Sequence, residues 1–109
     1  MNLYSTALGR VNVSDHGALH TLYTVGPGPA VVRSVSLYAA PGASPQVFAF
    51  DGVAFLGLAQ LDNSMGIATE VGTFLLYQPL EAGWQVVAQN SAGSSGLWTA
   101  MAGGYQFTT

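Results

Sequence analysis

Residues 18–40 read ALHTLYTVGPGPAVVRSVSLYAA, two strand-like runs parted by a Gly-Pro-Gly-Pro break, and this stretch decides the fold class. In the first run Leu19, Thr21, Tyr23 and Val25 alternate with His20, Leu22 and Thr24, the period-two pattern of a β-strand. Gly26-Pro27-Gly28-Pro29 ends it, because proline has no ladder donor and glycine weakens a strand. The second run, residues 31–40, is rich in β-branched residues, with Val31, Val35 and Leu37 in one phase. Arg33 shares that phase. Either a bulge near Arg33 and Ser34 shifts the alternation, or the Arg33 stem lies along apolar surface with its head reaching a carboxylate or the rim.

Outward from this stretch, turn signals recur along the whole chain. Residues 41–45 (PGASP) form a turn and 46–50 a short strand; Asp51-Gly52 reads as a tight hairpin, with 53–59 as its return strand. Residues 61–66 are a polar turn. The longer strand 67–78 sets Val71, Thr73, Leu75 and Tyr77 against Glu70, Gly72, Phe74 and Leu76, so both faces are partly apolar, as in a sandwich centre or a subunit contact. Residues 79–83 make a corner, 84–89 alternate, 90–96 (NSAGSSG) form a hairpin loop, and 97–102 and 105–107 close the domain. The pattern predicts an all-β chain: a single antiparallel β-sandwich or jelly roll of about eight strands. Residues 1–17 stand outside it, as an N-terminal arm packing on a neighbour or as a first strand, and 18–109 are the sandwich domain.

With 109 residues there is room for one domain. The hydrophobic share is 50% and the charged share 6%, against about 25% charged in ordinary soluble domains. Such a chain is either membrane-embedded or covered by partners. Its apolar runs fall far short of the roughly 20 residues of a spanning helix, so membrane insertion is not expected. Residues 1–14 carry Arg10 as their single cation, after the apolar positions, which does not fit a secretory signal and implies synthesis in the cytoplasm. With no cysteine, stability must come from packing and strand ladders. Arg10 and Arg33 are the only fixed side-chain cations and the net charge is −3, so nucleic acid is a poor partner.

The candidate chemistry is thin. His16 and His20 are spaced i, i+4, but Gly17 and the strand pattern argue against a helical metal pair. No Gly-x-Ser-x-Gly elbow occurs. The acids Asp15, Asp51, Asp62, Glu70 and Glu81 are scattered, with Asp51 and Asp62 placed to cap turns. Asp62-Asn63-Ser64 reads as an Asx-turn rather than a calcium loop, and Asn12-Val13-Ser14 matches the glycosylation triplet without a secretory context. No catalytic residue, cofactor or metal site is expected, and the chain is not read as an enzyme. Six residues are interface candidates: Trp84, Trp98, Phe74, Leu76, Tyr38 and Arg33. Trp84, Trp98, Tyr23, Tyr38, Tyr77 and Tyr105, with loop 90–96, are also candidates for a carbohydrate platform.

Thr21-Leu22-Tyr23-Thr24-Val25-Gly26-Pro27-Gly28, followed by Val31-Val32-Arg33-Ser34-Val35-Ser36-Leu37-Tyr38, resembles the "TLYTVPAG…VVKSI" opening of small β-sandwich virion proteins of tailed bacteriophages. Leu80-Glu81-Ala82-Gly83-Trp84-Gln85-Val86 is similar to their "L-x-A-G-D-x-L/V" corner. The likeness spans residues 18–107. Gly26 stands where proline is common, and Trp84 where an acid is common. The resemblance implies a minor tail, tail-tip or capsid decoration protein that forms a homo-oligomer, trimer or higher, and contacts other virion proteins. It also implies a place on the tail or capsid surface; a carbohydrate-binding or receptor-binding module at a tail tip, contacting a host surface glycan, is the alternative reading.

Overall fold

Four strand pairs nest inside one another: β1 (Leu3–Val13) with β8 (Trp98–Phe107), β2 (His20–Thr24) with β7 (Gln85–Asn90), β3 (Ala30–Ala39) with β6 (Glu70–Leu80), and β4 (Pro45–Phe50) with β5 (Phe55–Gln60). The computed structural model describes residues 3–13, 18–91 and 96–107. Rolling this nested hairpin lays β3 beside β8 and β4 beside β7. The result is two four-stranded sheets, ordered β1-β8-β3-β6 and β2-β7-β4-β5, the arrangement of a jelly roll. Residues 3–13 pair within this chain as β1.

Between the sheets lies one apolar core. Val32, Val35, Leu37 and Ala39 of β3 meet Val47 and Ala49 of β4, Val86 and Ala88 of β7, and Trp98, Ala100 and Ala102 of β8. A register shift between Val32 and Ser34, present against both β6 and β8, makes this possible. Unbroken alternation from Val32 would send Ser34 and Ser36 inward. With the shift, Val35 and Leu37 face the core and Arg33 is expelled to solvent, so the bulge is the reading the structure adopts.

Gly103 and Gly104 stand opposite this bulge. A Cβ on Gly104 would overlap the Val31 carbonyl oxygen, so only glycine lets β8 come this close. The sequence reading broke the last strand here, but β8 runs unbroken to Phe107 because the glycines accommodate the neighbour's bulge.

Other boundaries also move. The strand expected over 67–78 is β6, Glu70–Leu80, and it includes Pro79, assigned to a corner from sequence. Pro79 is tolerated because β6 is a sheet edge, where a ladder donor can be missing. The expected two-residue turn at Asp51-Gly52 is a four-residue loop: β5 starts at Phe55, and Asp51 Oδ1 accepts the Val53 and Ala54 N–H groups, both at 2.8 Å. This Asx-type cap substitutes for a primed turn.

Buried polar groups tie down both ends. Asn63 Nδ2 donates to Ala39 and Ala68 carbonyls (2.9 and 2.8 Å), and Asn90 Oδ1 accepts the Ser44 N–H (2.7 Å). At the opposite end Gln106 Nε2 donates to the Gly28 and Pro29 carbonyls, and Tyr23 Oη donates to Gln106 Oε1. Among the described residues no buried side-chain nitrogen or oxygen lacks a partner.

Two substitutions test this packing by urea unfolding. Leu37→Ala, at a position 1% exposed, should cost about 2–5 kcal/mol. Gly104→Ala should destabilise comparably by forcing β8 off the bulge, and a neutral Gly104→Ala would contradict the close-approach reading.

Candidate functional site: an outer sheet face

Because β6 alternates strictly, burying one set of side chains exposes the other. Val71 (70% exposed), Leu75 (85%) and Tyr77 (67%) point outward from the edge of the β1-β8-β3-β6 sheet. The ladder extends this face sideways: Val71 is level with Tyr38 and Thr99, Thr73 with Ser36 and Met101, and Leu75 with Ser34 and Gly103. Serines and threonines separate the apolar groups, and Ser36, Tyr38, Val71, Thr99 and Met101 border a depression of about 210 Å³.

Arg33 is the cation placed here. Its guanidinium carbon lies 5.4 Å from the centroid of Tyr77 and 6.0 Å from that of Tyr105, and Nε donates to the Leu76 carbonyl at 3.3 Å. Two rings and a backbone oxygen therefore hold the guanidinium over the face, with cation–π attraction of about 0.5–1 kcal/mol per exposed contact. A positioned, exposed cation of this kind suits a carboxylate on an approaching surface.

The other sheet carries a smaller aromatic group. Phe50 stacks on Phe55 at 4.4 Å between centroids, and Phe48 meets Phe55 edge-on at 5.8 Å. Register explains the cluster, since Phe50 pairs with Phe55 and Phe48 with Gly57 across β4 and β5.

The six sequence candidates are scattered. Tyr38 and Arg33 lie on the outer face just described. Phe74 and Leu76 point inward from β6, half-buried against the core, and Trp84 is half-buried at the start of β7. Trp98 is fully buried with His20 edge-on at 5.7 Å, which makes it a core residue and removes it as a sugar platform. His16 and residues 92–95 lie outside the described residues, and among those described no cluster of His, Cys, Asp or Glu could hold a metal. Sequence reasoning did not single out Val71, Leu75 or Met101, and it named Tyr77 only among the aromatics of a sugar platform. Their alternation was visible, but period alone does not say which phase is wet.

No family model matches the chain, and no curated protein matches it. Among solved structures it is similar to a subunit of Bacillus endospore appendages, described as a novel family of disulfide-linked pili, at 12% identity over 98% of this chain and 89% of that one, with a TM-score of 0.50. It is also similar to a chain of the virus-like particle of the extra small virus of the giant freshwater prawn Macrobrachium rosenbergii, at 12% identity over 96% and 79%, with a TM-score of 0.40. At 12% identity the likeness to the appendage subunit bears on fold alone. The present sequence holds no cysteine with which to form a disulfide link.

Two exposed carboxylates define an acid response. The Ala54 N–H, then that of Val53, holds the Asp51 carboxyl below its ordinary value; the Ser64 hydroxyl, then the Ser64 N–H, does the same for Asp62. A folded-state value below the unfolded one stabilises the fold above the unfolded carboxyl value, and the benefit is lost as pH falls through the lowered one. The thermal midpoint should hold steady down to about pH 5 and decline below about pH 4. The decline should shrink in an Asp51→Asn, Asp62→Asn double variant, and an unchanged acid profile would contradict this assignment.

Proposed function

We propose that this chain is a non-catalytic structural subunit whose copies associate through the outer face and free edge of β6. The observation that carries this reading is Leu75, 85% exposed between Val71 and Tyr77 on a face that also presents the Arg33 guanidinium. Monomers seldom leave several large apolar side chains of one strand bare in water. β6 is moreover an eleven-residue edge with Glu70 as its one charged residue, whereas edges left in solvent are usually short or guarded by charge. A second copy satisfies both needs, covering the apolar side chains and pairing the open ladder. The 6% charge of the whole chain is in keeping with a surface that other polypeptides cover.

The finer reading is a virion protein of a tailed bacteriophage, in the minor tail or on the capsid surface, assembled as a trimer or higher with other virion proteins. Support for it comes from the motifs at Thr21–Gly28, Val31–Tyr38 and Leu80–Val86. A jelly roll suits such a role, because both sheets end in open edges and flat faces against which neighbours can stack. No reaction, metal or nucleic acid enters this reading.

Sedimentation velocity tests it. The wild-type chain should remain a defined oligomer on dilution to low micromolar concentration, and Leu75→Glu should convert it to folded monomer, since charge at so exposed a position spares the core. A wild-type monomer, or an oligomer indifferent to Leu75→Glu, overturns the assignment of this face.

A further inference from the structure

The sandwich is not closed along its β5 and β6 side, and near the β4–β5 loop the gap widens into a cleft. Asp51, Phe55 and Leu56 line it from the β4–β5 hairpin, Gln78 from β6 and Trp84 from the start of β7, around a volume of about 320 Å³. The small Ala49 side chain at its base leaves the space open. This volume is at the lower end of the ~300–1,000 Å³ range of small-molecule sites.

Polar capacity converges on this cleft. Both hydrogen bonds of the Asp51 carboxylate fall on Oδ1, from Val53 and Ala54, so Oδ2 is left to accept. Gln78 donates from Nε2 to the Pro79 carbonyl at 2.9 Å, leaving its Oε1. Trp84 is tied through its main chain, to Glu81 and Val25, so its indole N–H is left to donate. Hence two acceptors and one donor belong to residues that line the same cleft as Phe55 and Leu56.

We infer that this cleft is a binding site for a neutral hexopyranose, such as the terminal residue of a surface glycan. A pyranose has an apolar C–H face for the indole and hydroxyls that both donate and accept, matching Asp51, Gln78 and Trp84 together. An anionic ligand is disfavoured by Asp51, whose turn bonds keep it ionised. A simple ammonium ion could pair with Asp51 and an aromatic ring, but it has no acceptor for the indole N–H. The loop geometry preorganises the site, because the bonds that shape the β4–β5 turn also fix the carboxylate. The inference is independent of the subunit contact proposed at β6.

The test is titration of the full chain with glucose, galactose, mannose and N-acetylglucosamine, followed by tryptophan fluorescence and amide chemical shifts. Trp98 is fully buried, so a fluorescence change reports chiefly on Trp84. At least one sugar should bind with millimolar affinity and shift amides of residues 51–56 and 84. Asp51→Asn keeps an oxygen for the turn bonds and should weaken binding tenfold or more; Trp84→Phe, which keeps a ring but loses the N–H, should weaken it similarly. Met65→Ala, at an exposed position outside the cleft, should bind as wild type. The inference fails if no sugar perturbs these residues, if binding survives both cleft variants, or if tetramethylammonium is the only ligand that binds there. Sedimentation of the same samples separates this outcome from that of the subunit contact.

Discussion

The register shift at Arg33 is the constraint on which the molecule depends. β3 lies inside its sheet, paired on both sides, and its sequence holds two apolar sets in opposite phase. Val32 belongs to one, and Val35, Leu37 and Ala39 to the other. One extra residue reconciles them, turning all four into the core, at which they are essentially inaccessible. The neighbour must yield, and Gly103-Gly104 is where it does. The residue expelled by the shift is Arg33, so the same irregularity that completes the core places a cation over Tyr77 and Tyr105 on the outside.

From that constraint the two candidate surfaces follow separately. Strict alternation along β6 commits Phe74 and Leu76 to the interior and leaves Val71, Leu75 and Tyr77 outside, where no other element of the described chain covers them. The nested pairing also makes β5 and β6 edges of their respective sheets, and the cleft beside Trp84 opens between them. A broad, weakly polar face suits a protein neighbour, whereas a small cleft with a fixed carboxylate suits a small ligand. One domain can hold both because they use different parts of β6, its outward side chains and the inward Gln78.

Much of the fold was legible in the sequence, because period-two alternation and turn residues are local signals. The all-β class, about eight strands and the possible bulge at Arg33 came from such signals, as did the turn roles of Asp51 and Asp62. What was not legible depends on neighbours. Pro79 reads as a strand breaker until β6 is known to be an edge, and Gly103-Gly104 reads as a break until the facing bulge is known. Trp98 and Trp84 are indistinguishable by residue type, yet the first lies under both sheets and the second at the cleft. The apolar face itself was hidden because β6 is apolar in both phases, so only tertiary packing decides which phase is wet.

Amide hydrogen exchange along β6 tests the central claim most directly. As an edge strand, β6 has main-chain N–H groups directed away from β3, which no described strand pairs. If copies cover this edge and the face beside it, those amides in the assembled protein should exchange orders of magnitude more slowly than amides of the exposed 51–54 loop. Exchange at loop-like rates at the highest attainable concentration would contradict the account and leave β6 a bare edge.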